Sequence, residues 1–162
     1  MPTIRAVLLD ADWRRSAPRI SWSGCLGALC GDPGRADEFR IEPAADILDL
    51  IRSLRSSGVS VSLATNQQAH RANFMTNSLG YRTHFDHLLY SCELGFSKPS
   101  VEYFSSALAT IAMDPSEVLF INDHEASVSA ARSGGLHGEV FHLSEGVGRI
   151  QEILKGYGLQ PC

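Results

Sequence analysis

Short aliphatic runs that stop abruptly at polar residues, each followed by a segment of helical period, recur along this chain and constrain its fold more than any other feature. Residues 4–9 end at Asp10-Ala11-Asp12, residues 59–64 at Thr65-Asn66-Gln67, and residues 118–121 at Asn122-Asp123. Residues 87–90 and 140–143 are two further short runs. Such runs are too short for helices and read as strands buried on both faces. Between them apolar residues recur at helical spacing. Pro43 opens a segment carrying Ile47, Leu48, Leu50, Ile51 and Leu54, which Gly58 stops. Phe74, Met75 and Leu79 lead to Gly80. Pro99 opens a helix with Val101, Phe104, Leu108 and Ile111 on one face. Ala126, Ala130 and Ala131 precede Gly134-Gly135, and Ile150, Ile153 and Leu154 mark a last helix. Strands alternating with helices predict a parallel sheet covered on both faces. Right-handed crossovers bring the strand ends to one edge, where open α/β sheets bind ligands.

Four chemically capable groups fall at that edge. Asp10 and Asp12 are spaced to give a nucleophile and an acid–base, and together form a hard oxygen site suited to Mg²⁺. A strand followed by a polar turn would also explain them, since Asp favours turns. Thr65 and Asn66 lie at a strand tip ahead of a helix, a place that holds phosphate through backbone N–H groups and the helix dipole. N-capping would account for Thr65 by itself. Lys98 precedes a helix in a loop, where a solvated lysine is ordinary. Asp123 ends the strand over residues 118–121. The coincidence of Asp10, Thr65, Lys98 and Asp123 on one edge favours a site over four separate bland explanations.

The segment 13–42 breaks the alternation. It carries Trp13, Arg14, Arg15, Arg19 and Trp22, a small-residue patch from Gly24 to Ala28, and the turn Gly31-Asp32-Pro33-Gly34. A loop this long inside a compact domain is usually functional, so it reads as a flap beside Asp10 and Asp12 rather than a plain surface insertion. Its arginines suit bidentate phosphate contacts, and solvated surface charge explains each of them as well.

With 162 residues, the chain is expected to form a single domain over residues 1–162 with this flap-like insertion. A hydrophobic content of 44% and charged content of 20% are those of an ordinary globular protein. The net charge of -4 argues against general nucleic-acid binding. No apolar run approaches the roughly 18 residues of a membrane span. The first strand begins almost at the N-terminus without a signal peptide, which with the cysteine usage leads to the expectation of a cytoplasmic, reduced protein. Cys25, Cys30, Cys92 and Cys162 match no strong zinc pattern and read as structural or free thiols.

The ordered set Asp10-Ala11-Asp12, residues 61–65 with Asn66, Phe96-Ser97-Lys98-Pro99, and residues 118–135 resembles the four motifs of the haloacid dehalogenase-like hydrolase superfamily, over nearly the whole chain. The resemblance implies a three-layer α/β/α Rossmann-like fold with a five-stranded parallel sheet in the order 5-4-1-2-3. It also implies Mg²⁺-dependent phosphoryl transfer on a small phosphorylated substrate. Asp10 would attack phosphorus and form an aspartyl-phosphate. Asp12 would protonate the leaving oxygen and then activate water. Thr65 and the backbone near Asn66 would hold phosphate oxygens, and Lys98 would neutralise charge. Asp10, the carbonyl of Asp12, and Asp123 would bind Mg²⁺. An acid at position 12 favours phosphatase chemistry over dehalogenation, because the dehalogenase branch lacks it.

The chain departs from the family pattern in four places. Trp13 and Arg14 stand where Gly-Thr usually follows the first motif, Asn122 where a first acid often stands, and Ser127 where a further Asp or Asn often supports the metal. Fewer charged ligands weaken Mg²⁺ binding. His124 reads as a loop residue, since Mg²⁺ prefers oxygen. The large cap domain of many relatives is absent from the pattern, which leaves a site open to a large substrate or covered by another subunit of a homo-oligomer. The leading reading is a phosphatase. A weakened or non-catalytic binding module on the same fold is the alternative, ahead of phosphotransfer or dehalogenation.

Overall fold

The computed structural model describes residues 2–10 and 44–161. The proposed flap, Asp12, Trp13, Arg14 and three of the four cysteines (Cys25, Cys30 and Cys162) lie outside the described residues; Cys92 is an exposed free thiol. Five parallel strands form one sheet: β1 (Ala6–Leu9), β2 (Ser60–Thr65), β3 (His87–Tyr90), β4 (Val118–Asn122) and β5 (His137–Val140). Their spatial order is β3-β2-β1-β4-β5, the expected order read from the opposite edge. Among the described residues seven α-helices connect and cover them: α1 (Ala45–Ser56), α2 (Ala69–Asn77), α3 (Tyr81–His84), α4 (Ser91–Leu94), α5 (Val101–Ile111), α6 (Glu125–Ser133) and α7 (Gly146–Gly156).

Strand side chains alternate between two faces, and the core divides accordingly. Val7, Leu9, Val61, Leu63, Leu119 and Ile121 pack with the buried faces of α1, α2 and α7. Ala6, Leu8, Ala64, Val118 and Phe120 pack with α5 and α6. On that second face Phe104 meets Phe120 edge-to-face at 4.9 Å, and Tyr103 meets Phe104 at 5.3 Å. Pairs in this geometry add about 0.5–1.5 kcal/mol beyond the area they bury. No helix among the described residues is long and apolar enough to cross a membrane.

Several element boundaries differ from the sequence reading. The last strand is residues 137–140 rather than 140–143, and its register pairs Leu119 with His137 and Asn122 with Val140. A Cβ at Gly138 would lie 3.0 Å from Val128 Cγ1 and 3.2 Å from Val128 O, so α6 crosses β5 closely enough that any side chain there would push Val128 back by a few tenths of an ångström. A glycine within a strand suits such a close approach. The helix after Lys98 starts at Val101, because Ser100 caps it by accepting from Tyr103 N at 3.2 Å. Its buried residues are Tyr103, Phe104, Ala107 and Ile111, while Val101 is 41% exposed. In α6 the buried face is Ser127, Val128 and Ala131, and Ala126 is exposed. The single-turn helices α3 and α4 occupy stretches with too few residues to show a period.

Candidate active site

β1, β2 and β4 are adjacent and parallel, and Leu9 pairs with both Leu63 and Ile121. Asp10 and the end of β4 therefore emerge at neighbouring strand ends, with Thr65 at the tip of β2 on the other side. Asp10 is only 9% exposed. Thr65, Lys98 and Asn122 are buried, and Asp123 is exposed.

Lys98 enters this edge from the loop between α4 and α5. Its Nζ lies 3.2 Å from Asp10 Oδ1 and donates to Ala64 O at 2.8 Å. The ammonium also sits 5.4 Å from the centre of the Phe120 ring, within reach of the ring's electrostatic attraction. The lysine is thus a buried cation bound to a carboxylate, not a solvated loop side chain. Burying such a pair is expensive unless both partners are well bonded.

The tip of β2 supports the lysine and orders the neighbouring hydroxyl. Asn66 Oδ1 accepts from Lys98 N at 2.9 Å, and Asn66 Nδ2 donates to Lys98 O at 2.9 Å. Gln67 Nε2 donates to Thr65 Oγ1 at 3.0 Å, which leaves the Thr65 hydroxyl proton free to point elsewhere as a donor. Gln67 N donates to Ser91 Oγ at 3.0 Å, tying the start of α4 to the same loop. Tyr103 is fully buried, and its hydroxyl donates to Leu89 O at 2.6 Å. Burial, reinforced by the nearby Asp10 charge and opposed by a hydrogen bond to the Thr65 backbone, holds that hydroxyl far above its ordinary range. It stays a neutral donor beneath the site. The sequence reading passed over Tyr103, Gln67 and Ser91. Only the aromatic character of Tyr103 one turn past Lys98 offered any signal.

On the β4 side, Asn122 Oδ1 accepts from His124 N at 3.1 Å and closes the turn into α6. His124 is the N-cap of α6, in the loop position expected of it, and its Nδ1 lies 3.0 Å from Ser127 Oγ. Two positions that could carry acids, Asn122 and Ser127, thus hold neutral groups, each engaged with His124. Among the described residues no group of three His, Cys, Asp or Glu side chains converges. The donors that remain are the carboxylates of Asp10 and Asp123 on adjacent strand ends. These are hard oxygens of the kind Mg²⁺ takes, with one or two carboxylates and its remaining positions left to water and substrate. The chemistry of these two oxygen donors fits that ion.

A family model described as haloacid dehalogenase-like hydrolase matches residues 35–138, a span that includes Thr65, Lys98 and Asp123. The chain belongs to the haloacid dehalogenase-like hydrolases. This haloacid dehalogenase-like chain is 29% identical over 135 residues to a sesquiterpene phosphatase of Aspergillus oryzae, with 79% of this chain and 68% of that protein covered. It is 28% identical over 108 residues to (S)-2-haloacid dehalogenase 2 of a Pseudomonas species, covering 67% of this chain but 45% of that protein. The chain therefore spans less than half the length of the dehalogenase. A predicted haloacid dehalogenase-like family hydrolase of Porphyromonas gingivalis shares the fold, with a TM-score of 0.71 at 19% identity over 94% of this chain and 98% of that one. An enzyme of the same family from Bacteroides thetaiotaomicron, crystallised with magnesium and inorganic phosphate, gives a TM-score of 0.65 at 20% identity over 91% of this chain and 98% of that one. At these identities the solved structures establish the Rossmann-like fold.

Proposed function

We propose that this hydrolase is a Mg²⁺-dependent phosphatase that moves a phosphoryl group from a small phosphomonoester to Asp10 and then to water. The observation that carries this reading is the buried contact between Lys98 Nζ and Asp10 Oδ1 beside the tip of β2. An Asp10 oxygen forms the new bond to phosphorus as the ester oxygen leaves, and Asp12 gives that oxygen its proton. Asp12 then takes a proton from water, whose oxygen displaces Asp10 and releases inorganic phosphate. Phosphoryl transfer asks mainly for positioning and cancellation of charge. Lys98 cancels charge, while the Thr65 hydroxyl and the Asn66 backbone hold phosphate oxygens. Mg²⁺, held by Asp10, the carbonyl of Asp12, and Asp123, would neutralise further charge on the transferring group. The similarity to a phosphatase and the magnesium and phosphate in a relative of the same fold support this reading.

A second reading, a catalytically weakened binding module, is favoured by the neutral Asn122 and the His124–Ser127 contact. Hydrolysis of an aryl phosphate with and without Mg²⁺, run beside Asp12→Asn, separates the two. The phosphatase reading expects Mg²⁺-dependent turnover that Asp12→Asn abolishes, with calorimetric Mg²⁺ binding largely kept because the expected ligand there is a carbonyl. Absence of both turnover and Mg²⁺ binding in the native chain would favour the module.

A further inference from the structure

We propose that Asn66 is a positioning residue whose side chain sets Lys98 against Asp10, rather than a group that contacts the substrate through its amide; this rests on the phosphatase reading of the same site. Lysine carries its charge on a flexible four-carbon stem, and Lys98 sits in a loop. Its Nζ nevertheless has to stay at a fixed place between Asp10 and Ala64 O. Both ends of the residue are held by β2 and the residue that follows it. Ala64 O accepts from the ammonium at 2.8 Å, and the Asn66 carboxamide grips the Lys98 backbone at both its N–H and its C=O, each at 2.9 Å. Two bonds to one residue fix its orientation as well as its position. Because β2 is paired on both sides, with β1 and β3, the grip refers the lysine to an interior strand of the sheet. Only a carboxamide of this length supplies an acceptor and a donor side by side. Aspartate has the same shape, but it would set an oxygen against Lys98 O.

A double-mutant cycle in kcat/KM tests this, using Asn66→Ala, Lys98→Ala and the pair, with Asn66→Asp as the isosteric control. A displacement of about 1 Å at a reacting group can lower the rate by about 100-fold, so Asn66→Ala is expected to lose about 10- to 100-fold. Asn66→Asp is expected to lose as much. In the Lys98→Ala background the same Asn66→Ala change is expected to cost less than about 2-fold, because groups acting through one another are not additive. Equal losses in both backgrounds would overturn the proposal and make Asn66 an independent substrate contact. Unchanged activity in Asn66→Ala would overturn it too. If the native chain hydrolyses nothing, the phosphatase reading fails separately, and amide hydrogen exchange then decides the grip. Faster exchange confined to the Lys98 N–H and its loop in Asn66→Ala supports the grip, and unchanged exchange there overturns it.

Discussion

Two ion pairs at opposite ends of the sheet are built in opposite ways. At the amino ends of the strands, Arg55 donates to Asp86 Oδ1 through Nε at 3.1 Å and Nη2 at 2.8 Å, and to Thr83 O and His84 O through Nη1 at 2.9 and 3.0 Å. Asp86 Oδ2 accepts from Val61 N at 2.8 Å. These side chains remain 35% and 31% exposed, beside an open groove of about 690 Å³. At the carboxyl ends, Lys98 and Asp10 are 3.2 Å apart with only 4% and 12% of their side chains exposed. The wetter pair has the shorter contact, at 2.8 Å against 3.2 Å in the dry pair. A staple that joins α1 to the β2–β3 connection gains from many bonds and tolerates water. The proposed catalytic role of the dry pair calls for a charge kept out of water, where its field on a phosphoryl group is least screened. The groove lies at the opposite end of the sheet from the proposed site.

If this contrast is right, the two lysine and arginine truncations separate function from stability. Lys98→Ala should lower kcat/KM by about 100- to 1,000-fold, the cost of removing one donor to a developing charge, as read in aryl phosphate hydrolysis. Arg55→Ala should leave kcat/KM unchanged while lowering unfolding free energy in urea by about 1–3 kcal/mol, since it strands several acceptors. The reverse pattern would break the comparison. Gly138→Ala should act like the Arg55 change, with a loss of about 1–3 kcal/mol from overpacking against Val128 and no loss of turnover per folded molecule. Thermal melts beside active-site titration check it.

The smallest effect lies at the start of β4. The Ser116 hydroxyl and N–H, at 2.6 and 3.0 Å, hold the fully exposed Asp114 carboxyl below its ordinary value of 3.8. A group whose folded pKa is depressed adds stability above the unfolded value and loses it as pH falls through the folded one. Stability measured from neutral pH to below pH 3.8 should therefore fall slightly less in Asp114→Asn than in the native chain, with no difference in the pH dependence of activity.

The sheet and the strand-end position of the candidate site were legible because an apolar run that halts at polar residues is a local signal. Asp10, Thr65 and the Asn122-Asp123 pair announce themselves in this way. Lys98 was legible in position, but its burial was not, because Ala64 and Asp10 reach it only in three dimensions. The Asn66 grip spans 32 residues and depends on the geometry of one carboxamide, which no spacing shows. β5 was misplaced because Phe141 and Leu143 next to it carry the apolar signal, while the strand itself holds His137, Glu139 and a glycine packed close against α6.

The most direct test of the account is to find where the phosphoryl group goes. Native protein mixed with an aryl phosphate and Mg²⁺, quenched in acid during turnover and mapped by peptide mass spectrometry, should carry phosphate on Asp10, and Asp10→Asn should show neither label nor turnover. Turnover that persists in Asp10→Asn, or a label on any other residue, would contradict it.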